Sequence, residues 1–267
     1  MRPAVKPKKA LGQHFLTDSN IARRIADTLN DYVGVPVIEV GPGMGMLTRP
    51  LLEAGHDVTV AEIDVESVEY LRTHFPELAA KGGILQGDFL TTDLNTLYPD
   101  SKNICVIGNY PYNISSQIFF HVLDYRDRVV CCSGMLQREV AERLAAPPGS
   151  RTRGILSVLL QVWYDVEYLF TVDEHVFCPP PKVKSGVIRM TRNSVTDPGC
   201  DERTLKTVVK TAFGQRRKML RSSLKPLIGP KGLPAHSESL MQLRPEALSV
   251  QQFIDLTNMI TASHSTD

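Results

Sequence analysis

Residues 35–55, "VPVIEVGPGMGMLTRPLLEAG", join an apolar run to glycines at 41, 43 and 45 and then to a helix-patterned segment ending at Gly55. A buried strand that turns on closely spaced glycines into a helix is the opening unit of a parallel sheet. The alternation continues. "HDVTVAEID", "GGILQGDFL", "KNICVIGN" and "DRVVCCSGML" pattern as strands two to five. "VESVEYLRTHF", "ISSQIFFHVLDY" and "QREVAERLAA" pattern as helices, the last stopped by Pro147, Pro148 and Gly149. After a further helix over "GILSVLLQVW", the runs "DVEYLFTV" and "GVIRMTR" flank the proline-rich "FCPPPKV" and predict an antiparallel edge. The expected fold is α/β, a seven-stranded, mostly parallel Rossmann-like sheet covered on both faces. "NSVTDPGCDE" reads as a linker. Residues 201–262 keep helical spacing without strand alternation. The expected division is therefore 1–193 and 201–267, the second part a small helical domain.

Charge is unevenly spread. The 267 residues carry a net +1, but residues 1–17 hold four basic side chains and no acid, and residues 203–225 hold eight and no acid. The remainder is strongly acidic. Two basic segments on an acidic chain are the electrostatic footprint of a polyanion. Hydrophobic residues at 42% and charged residues at 22% are ordinary for a soluble globular protein. No apolar run approaches the roughly 20 residues of a membrane span. The basic N-terminal stretch lacks a signal-peptide core. The five cysteines, Cys131 and Cys132 adjacent, have no metal spacing and suggest reduced thiols in a cytosolic protein.

The glycine turn lets backbone approach a ligand. A dinucleotide site usually shows G-x-G-x-x-G; here Met46 occupies the sixth position and the spacing is G-x-G-x-G. Glu62 follows the second strand, 21 residues after Gly41, where a carboxylate can accept both ribose hydroxyls. Asp88 follows the third strand, placed to accept from an adenine amine with Phe89 near the ring. Either acid alone is more commonly a helix cap or a loop charge. Three loops at the carboxyl ends of adjacent strands point instead to a nucleoside-containing ligand. A ribose and an adenine without a strong phosphate cradle favour S-adenosylmethionine over NAD.

"GNYPY", residues 108–112, ends the fourth strand and faces the same crevice. An exocyclic adenine amine has its lone pair delocalised into the ring and carries two N–H donors. The Asn109 amide oxygen and the Tyr110 carbonyl can accept both, favouring a more tetrahedral nitrogen. Pro111 fixes its own φ and restricts Tyr110. Tyr112 offers a stacking face to a base that has left its stack. Positioning and acceptor dipoles then carry the chemistry, with no metal and no side-chain base required. The same logic serves a glutamine amide or a cytosine amine.

Eight blocks in order, "LGQHFLTD", "EVGPGMGMLT", "AEID", "GDF", "GNYPYNIS", "MLQREVAERL", "FCPPPKVKSGVIR" and "FGQRRKMLRSSL", resemble the ribosomal RNA adenine dimethyltransferase family, from about Lys8 to Leu256. The resemblance implies a class I methyltransferase fold and transfer of methyl groups from S-adenosylmethionine to adenine N6. In the housekeeping branch the targets are two adjacent adenosines near the 3′ end of 16S rRNA, within an immature 30S subunit. By the same resemblance His14 and Leu16 line the methionine end and Gly41 and Gly43 approach it. Glu62 takes the ribose, Asp88 the adenine and Asn109 the target amine, with Tyr112 and Phe177 as stacking partners. His14 and Tyr110 stand where the family often has Asn and Leu, and Arg153 where it often has Tyr. Arg216, Arg217, Lys218 and Arg221 fall within two helical turns and are expected to hold RNA phosphate. Lys8 and Lys9 of the "KPKK" arm, with Gln13, are expected to order only on RNA. A cytoplasmic monomer is expected. The alternatives are a resistance enzyme acting on 23S rRNA, a non-catalytic assembly factor, and a DNA adenine methyltransferase, for which a duplex-reading domain is missing.

Overall fold

The computed structural model describes residues 4–265, and in it all seven apolar runs become strands of one sheet. In chain order the strands are β1 (Phe15–Leu16), β2 (Val37–Val40), β3 (Val58–Glu62), β4 (Ile84–Gln86), β5 (Ile104–Asn109), β6 (Val129–Gln137), β7 (Tyr164–Val172), β8 (Phe177–Cys178) and β9 (Ser185–Arg192). The sheet order is β4-β3-β2-β5-β6-β9-β7. The pairs β2–β3, β2–β5, β3–β4 and β5–β6 are parallel, and β6–β9 is antiparallel. β9 thus inserts between β6 and the edge strand β7. β1 and β8 form a separate antiparallel ribbon, Leu16 opposite Phe177, which two-residue strands cannot announce by periodicity.

Every residue of β2 is buried, as expected for a strand with neighbours on both sides and cover on both faces. The helix Ser19–Ala26 starts on Asp18, whose side chain accepts from the Asn20 and Ile21 amides at 2.8 and 3.1 Å. It buries Ala22, Ile25 and Ala26 in a cluster with Leu51, Val58 and Ile107. The chain runs outward from β2 through β3 to β4, then crosses to β5 on the other side of β2. Such a reversal opens a crevice at the carboxyl ends of the two central strands. All five cysteines are free, with Cys131 and Cys132 buried.

The chain forms two compact units that do not follow the expected 1–193 and 201–267 division. One runs to Ala141 and resumes at Val166–Arg192; the other joins Glu142–Asp165 to the chain from Asn193 onward. The reason is apolar. The helix Ile155–Gln161 buries Leu156, Val158, Leu159 and Leu160 and packs on the helix Glu202–Gly214. The latter starts on Asp201 and packs on Val250–His264, whose Ser249 and Gln252 form a capping box. Arg153 belongs to this unit's interior. It is fully buried, and its Nη1 donates to the Ala146 carbonyl (2.5 Å) and to Gln161 Oε1 (2.6 Å). Its Nε and Nη2 have no hydrogen-bond partner among the described residues, and burial lowers its pKa. Its role here is to hold the Ala146 turn.

Candidate active site

The loop after β2 is shaped by what passes beside it. Gly43 has φ +56°, and a Cβ there would sit 2.8 Å from the Phe15 ring. Its N–H donates to Glu62 Oε2 at 3.1 Å, while the Asp64 N–H donates to Oε1 at 2.9 Å. Each oxygen keeps a lone pair for a hydroxyl donor. Burial raises the Glu62 pKa, and the two backbone donors partly oppose it. Glu39, inside β2, is 1% exposed; burial pushes its pKa up to about 8, against the single hydroxyl bond from Thr48 at 2.6 Å.

Asp88 caps the short turn Phe89–Thr91, its Oδ1 accepting from the Leu90 amide at 2.9 Å. Phe89 is buried and meets the His121 ring edge-on at 5.0 Å.

Asn109 ends β5. Its Nδ2 donates to the His14 carbonyl at 3.0 Å, a contact only the amide nitrogen can make. That bond fixes the flip and leaves Oδ1 as an acceptor. The Tyr110 ring turns into the core, its hydroxyl donating to the Ser133 carbonyl at 2.7 Å and its ring meeting Phe119 edge-on. Gly108 and Gly134 make room for it, since a Cβ on Gly134 would lie 2.7 Å from the ring and 2.2 Å from the Gly108 carbonyl oxygen. Tyr112 is half-buried, stacks on His14 at 5.6 Å, and shares a 2.5 Å hydrogen bond with Ser185. His14 is held in turn by the Pro179 carbonyl at 2.8 Å.

One cavity of about 280 Å³ has His14, Leu16, Gly41, Gly43, Glu62, Asp88, Phe89, Asn109, Pro111 and Tyr112 on its walls. The remaining lone-pair sites on the two Glu62 oxygens, a loop with no room for a Cβ at Gly43, and the Asn109 amide oxygen fit a nucleoside ligand with a reacting group at its far end. Phe177 departs from the sequence expectation. It is 4% exposed, packs in the core with Leu16, Met135 and Val187, and is not on the cavity wall. Pairing with β1 directs it inward.

The N-terminal arm also differs. The Lys8 ammonium pairs with Asp64 and, at 3.1 Å, with Glu66, and Gln13 donates to Asp64 at 3.3 Å. Burial alone would raise Asp64, but the bonds from Lys8, Gln13 and Ser67 outweigh it and hold the carboxyl below its usual range. The arm is therefore docked without RNA, because two acids after β3 meet it. Lys9 is exposed.

In the second unit the helix stops at Gly214. Arg216, Arg217 and Lys218 therefore lie in the following turn rather than on a helix face, and Arg221 follows in Leu220–Ser223. Arg216 donates to the Arg151 carbonyl; Arg217, Lys218 and Arg221 are exposed. Cations just past a helix C-terminus also meet the favourable end of its dipole. The sequence reading missed Glu39 and Asp64. An acid inside the otherwise apolar "VIEV" was the available signal for Glu39.

A family model described as ribosomal RNA adenine dimethylase matches residues 4–262. A ribosomal RNA small subunit methyltransferase A from Parabacteroides distasonis is 65% identical over 260 residues, covering 97% of this chain and 96% of that protein. Among solved structures, a dimethyladenosine transferase from Plasmodium falciparum superposes with TM-score 0.73 at 22% identity, covering 94% of this chain and 98% of the other. The 23S rRNA methyltransferase ErmE superposes with TM-score 0.70 at 25% identity, covering 92% and 99%.

Proposed function

The chain belongs to the ribosomal RNA adenine dimethylase family, and from that premise we propose that it methylates the N6 amines of two adjacent adenosines near the 3′ end of 16S rRNA, twice each. S-adenosylmethionine supplies the methyl group, made electrophilic by its sulfonium sulfur. Our reading of the substrate rests on the 65% identity to a small-subunit methyltransferase, against 25% to ErmE. The substrate is an immature 30S subunit, met by a cytoplasmic monomer. No helix among the described residues is long and apolar enough to cross a membrane.

The observation that carries the chemistry is the Asn109 amide, tied through Nδ2 to the His14 carbonyl with Oδ1 left to accept. One amine N–H goes to Oδ1 and the other to the Tyr110 carbonyl. The amine nitrogen is thereby pyramidalised, its lone pair aimed away from both acceptors. Pro111 keeps the Tyr110 carbonyl in place, and Tyr112, braced by His14 and Ser185, stacks on the base. Glu62 receives the ribose hydroxyls and Asp88, through its second oxygen, the cofactor's adenine amine. The exposed Arg217, Lys218 and Arg221 hold RNA phosphate without reading sequence. The test is methyl transfer from labelled cofactor to undermethylated 30S and 50S particles, with the dimethyladenosines mapped. Label confined to adjacent adenosines of 16S rRNA is the expected result; label in 23S rRNA would replace this reading with the resistance-type activity.

A further inference from the structure

The carboxyl end of the sheet holds a second hollow, beside the candidate active site, that the methyl-transfer reading leaves unassigned. Gln137, Arg138, Glu139, Val183 and Lys184 line it, all from the first unit, around an open space of about 370 Å³, room enough for a nucleobase. Strand register fixes where it lies. Asn109, the last residue of β5, is opposite Met135 on the parallel strand β6. Gln137 ends β6 two residues later, one strand across from Asn109 and about 7 Å further along. It pairs with Ser185, the first residue of β9, and the Arg138 N–H donates to the Lys184 carbonyl at 3.0 Å. Ser185 is also the residue bonded to the Tyr112 hydroxyl. The hollow thus starts at the brace of the tyrosine assigned to stack on the target base.

Its walls suit a base better than a phosphate. Glu139 puts a carboxylate there, and the Lys184 ammonium is taken by Asp173 at 2.6 Å. Val183 leaves a branched apolar side chain 43% exposed, a face against which a planar ring can lie. Gln137 is half-buried, and its side-chain amide has no hydrogen-bond partner among the described residues. A carboxamide matches adenine in particular, Nε2 donating to N7 while Oε1 accepts from the N6 amine. Arg138 and, next to Val183 in the chain, Lys182 are exposed cations for the backbone that would carry such a base.

Resting on the reading of two adjacent adenosine targets, we propose that this hollow seats the adenosine next to the one in the cavity, with Gln137 reading its N6 and N7 edge. The neighbour is one phosphodiester link from the target, a length comparable with the step from Asn109 to Gln137. Either adenosine of the pair can occupy the cavity. Only one choice places the other in the hollow, because the bound strand runs in one direction, and that register is favoured. Dimethylation strips both N6–H donors from a base, so a neighbour already dimethylated loses the contact. The hollow therefore makes one adenosine of the pair the preferred first target.

The experiment is methylation, by the full-length protein, of 30S particles reconstituted with 16S rRNA carrying guanosine in place of one or the other adenosine. Guanosine offers an O6 acceptor where adenine offers its N6 donors. The wild-type protein should lose about tenfold in kcat/KM for one replacement, the loss falling on KM, and little for the reciprocal one. Gln137→Leu should lose about tenfold on the natural pair and no longer distinguish the two replacements. Val183→Ser, at an exposed position, should lose kcat/KM several-fold, and both variants should keep cofactor affinity by calorimetry. Equal rates on the two replacements in the wild-type protein would overturn the inference while leaving the adenosine-pair assignment intact. A preference retained in Gln137→Leu would do the same. Absence of methyl transfer to unsubstituted 16S rRNA by the wild-type protein would remove that assignment and this inference together.

Discussion

The cavity wall and the basic turn after Gly214 treat charge in opposite ways. On the wall, Glu39 and Glu62 are 1% and 4% exposed, and each oxygen that is engaged has a named donor. At the turn, Arg217 and Lys218 are exposed and have no carboxylate partner among the described ion pairs. Burial makes the first region sensitive to single atoms and indifferent to salt. Exposure makes the second additive, interchangeable and screened within roughly 10 Å at 0.1 M salt. In the proposed function, chemistry belongs to the first and affinity for a polyanion to the second.

The sharpest way to break that division is Asn109→Ala. Methyl transfer should fall by about 10²–10³-fold or more, the scale for loss of one oriented polar group at a reacting centre, while calorimetry still detects the cofactor. If cofactor binding vanished instead, Asn109 would belong to the ligand pocket rather than to the amine. Tyr110→Leu is next. It removes a buried ring and leaves the Ser133 carbonyl without its 2.7 Å donor, a loss of about 2–3 kcal/mol and roughly 4–10 °C in Tm. In the proposed geometry only the backbone carbonyl of residue 110 touches the amine, so turnover well below the new Tm should survive; its loss would show that the ring itself acts.

Replacing Arg216, Arg217 and Lys218 together with Ala probes the other region. RNA association should weaken, and the slope of log affinity against log salt should flatten by about 2, with kcat at saturating RNA little changed. An unaltered slope would mean that the turn makes no phosphate contacts. The smallest effect concerns His56, whose ring nitrogens have no hydrogen-bond partner among the described residues and whose pKa is lowered by burial. A depressed histidine contributes stability above its ordinary value near 6.5, and that contribution is lost as pH falls. The Tm should therefore drop between pH 7 and 5.5, and His56→Leu should reduce the drop. Equal drops in both proteins would assign the acid sensitivity elsewhere.

The correspondence between sequence and structure followed the range of the forces involved. All seven apolar runs became sheet strands, because length, β-branching and bounding turn residues are local signals. The residues at strand ends were legible for the same reason: Gly43, Glu62, Asp88 and Asn109 lie just past apolar runs, and parallel strands deliver such positions to one crevice. The inward turn of Phe177 was not legible because its spacing after β7 says nothing about pairing with Leu16 of β1, 161 residues earlier in the chain. Lys8 was read as a free arm because nothing local connects it to Asp64, 56 residues away.

The order of strand, glycine turn and helix, the acids behind the second and third strands, and the Asn-Tyr-Pro-Tyr tetrad were settled by residue type and short spacing, where each local preference acts on its neighbours alone. Tertiary structure decided the insertion of β9 beside β6, the transfer of Glu142–Asp165 to the helical unit, the inward turn of Tyr110 and the burial of Glu39. Those outcomes depend on which distant apolar faces find each other and on what remains to neutralise a charge once they have. Burial is a property of the assembled core, and spacing along a chain carries no measure of it.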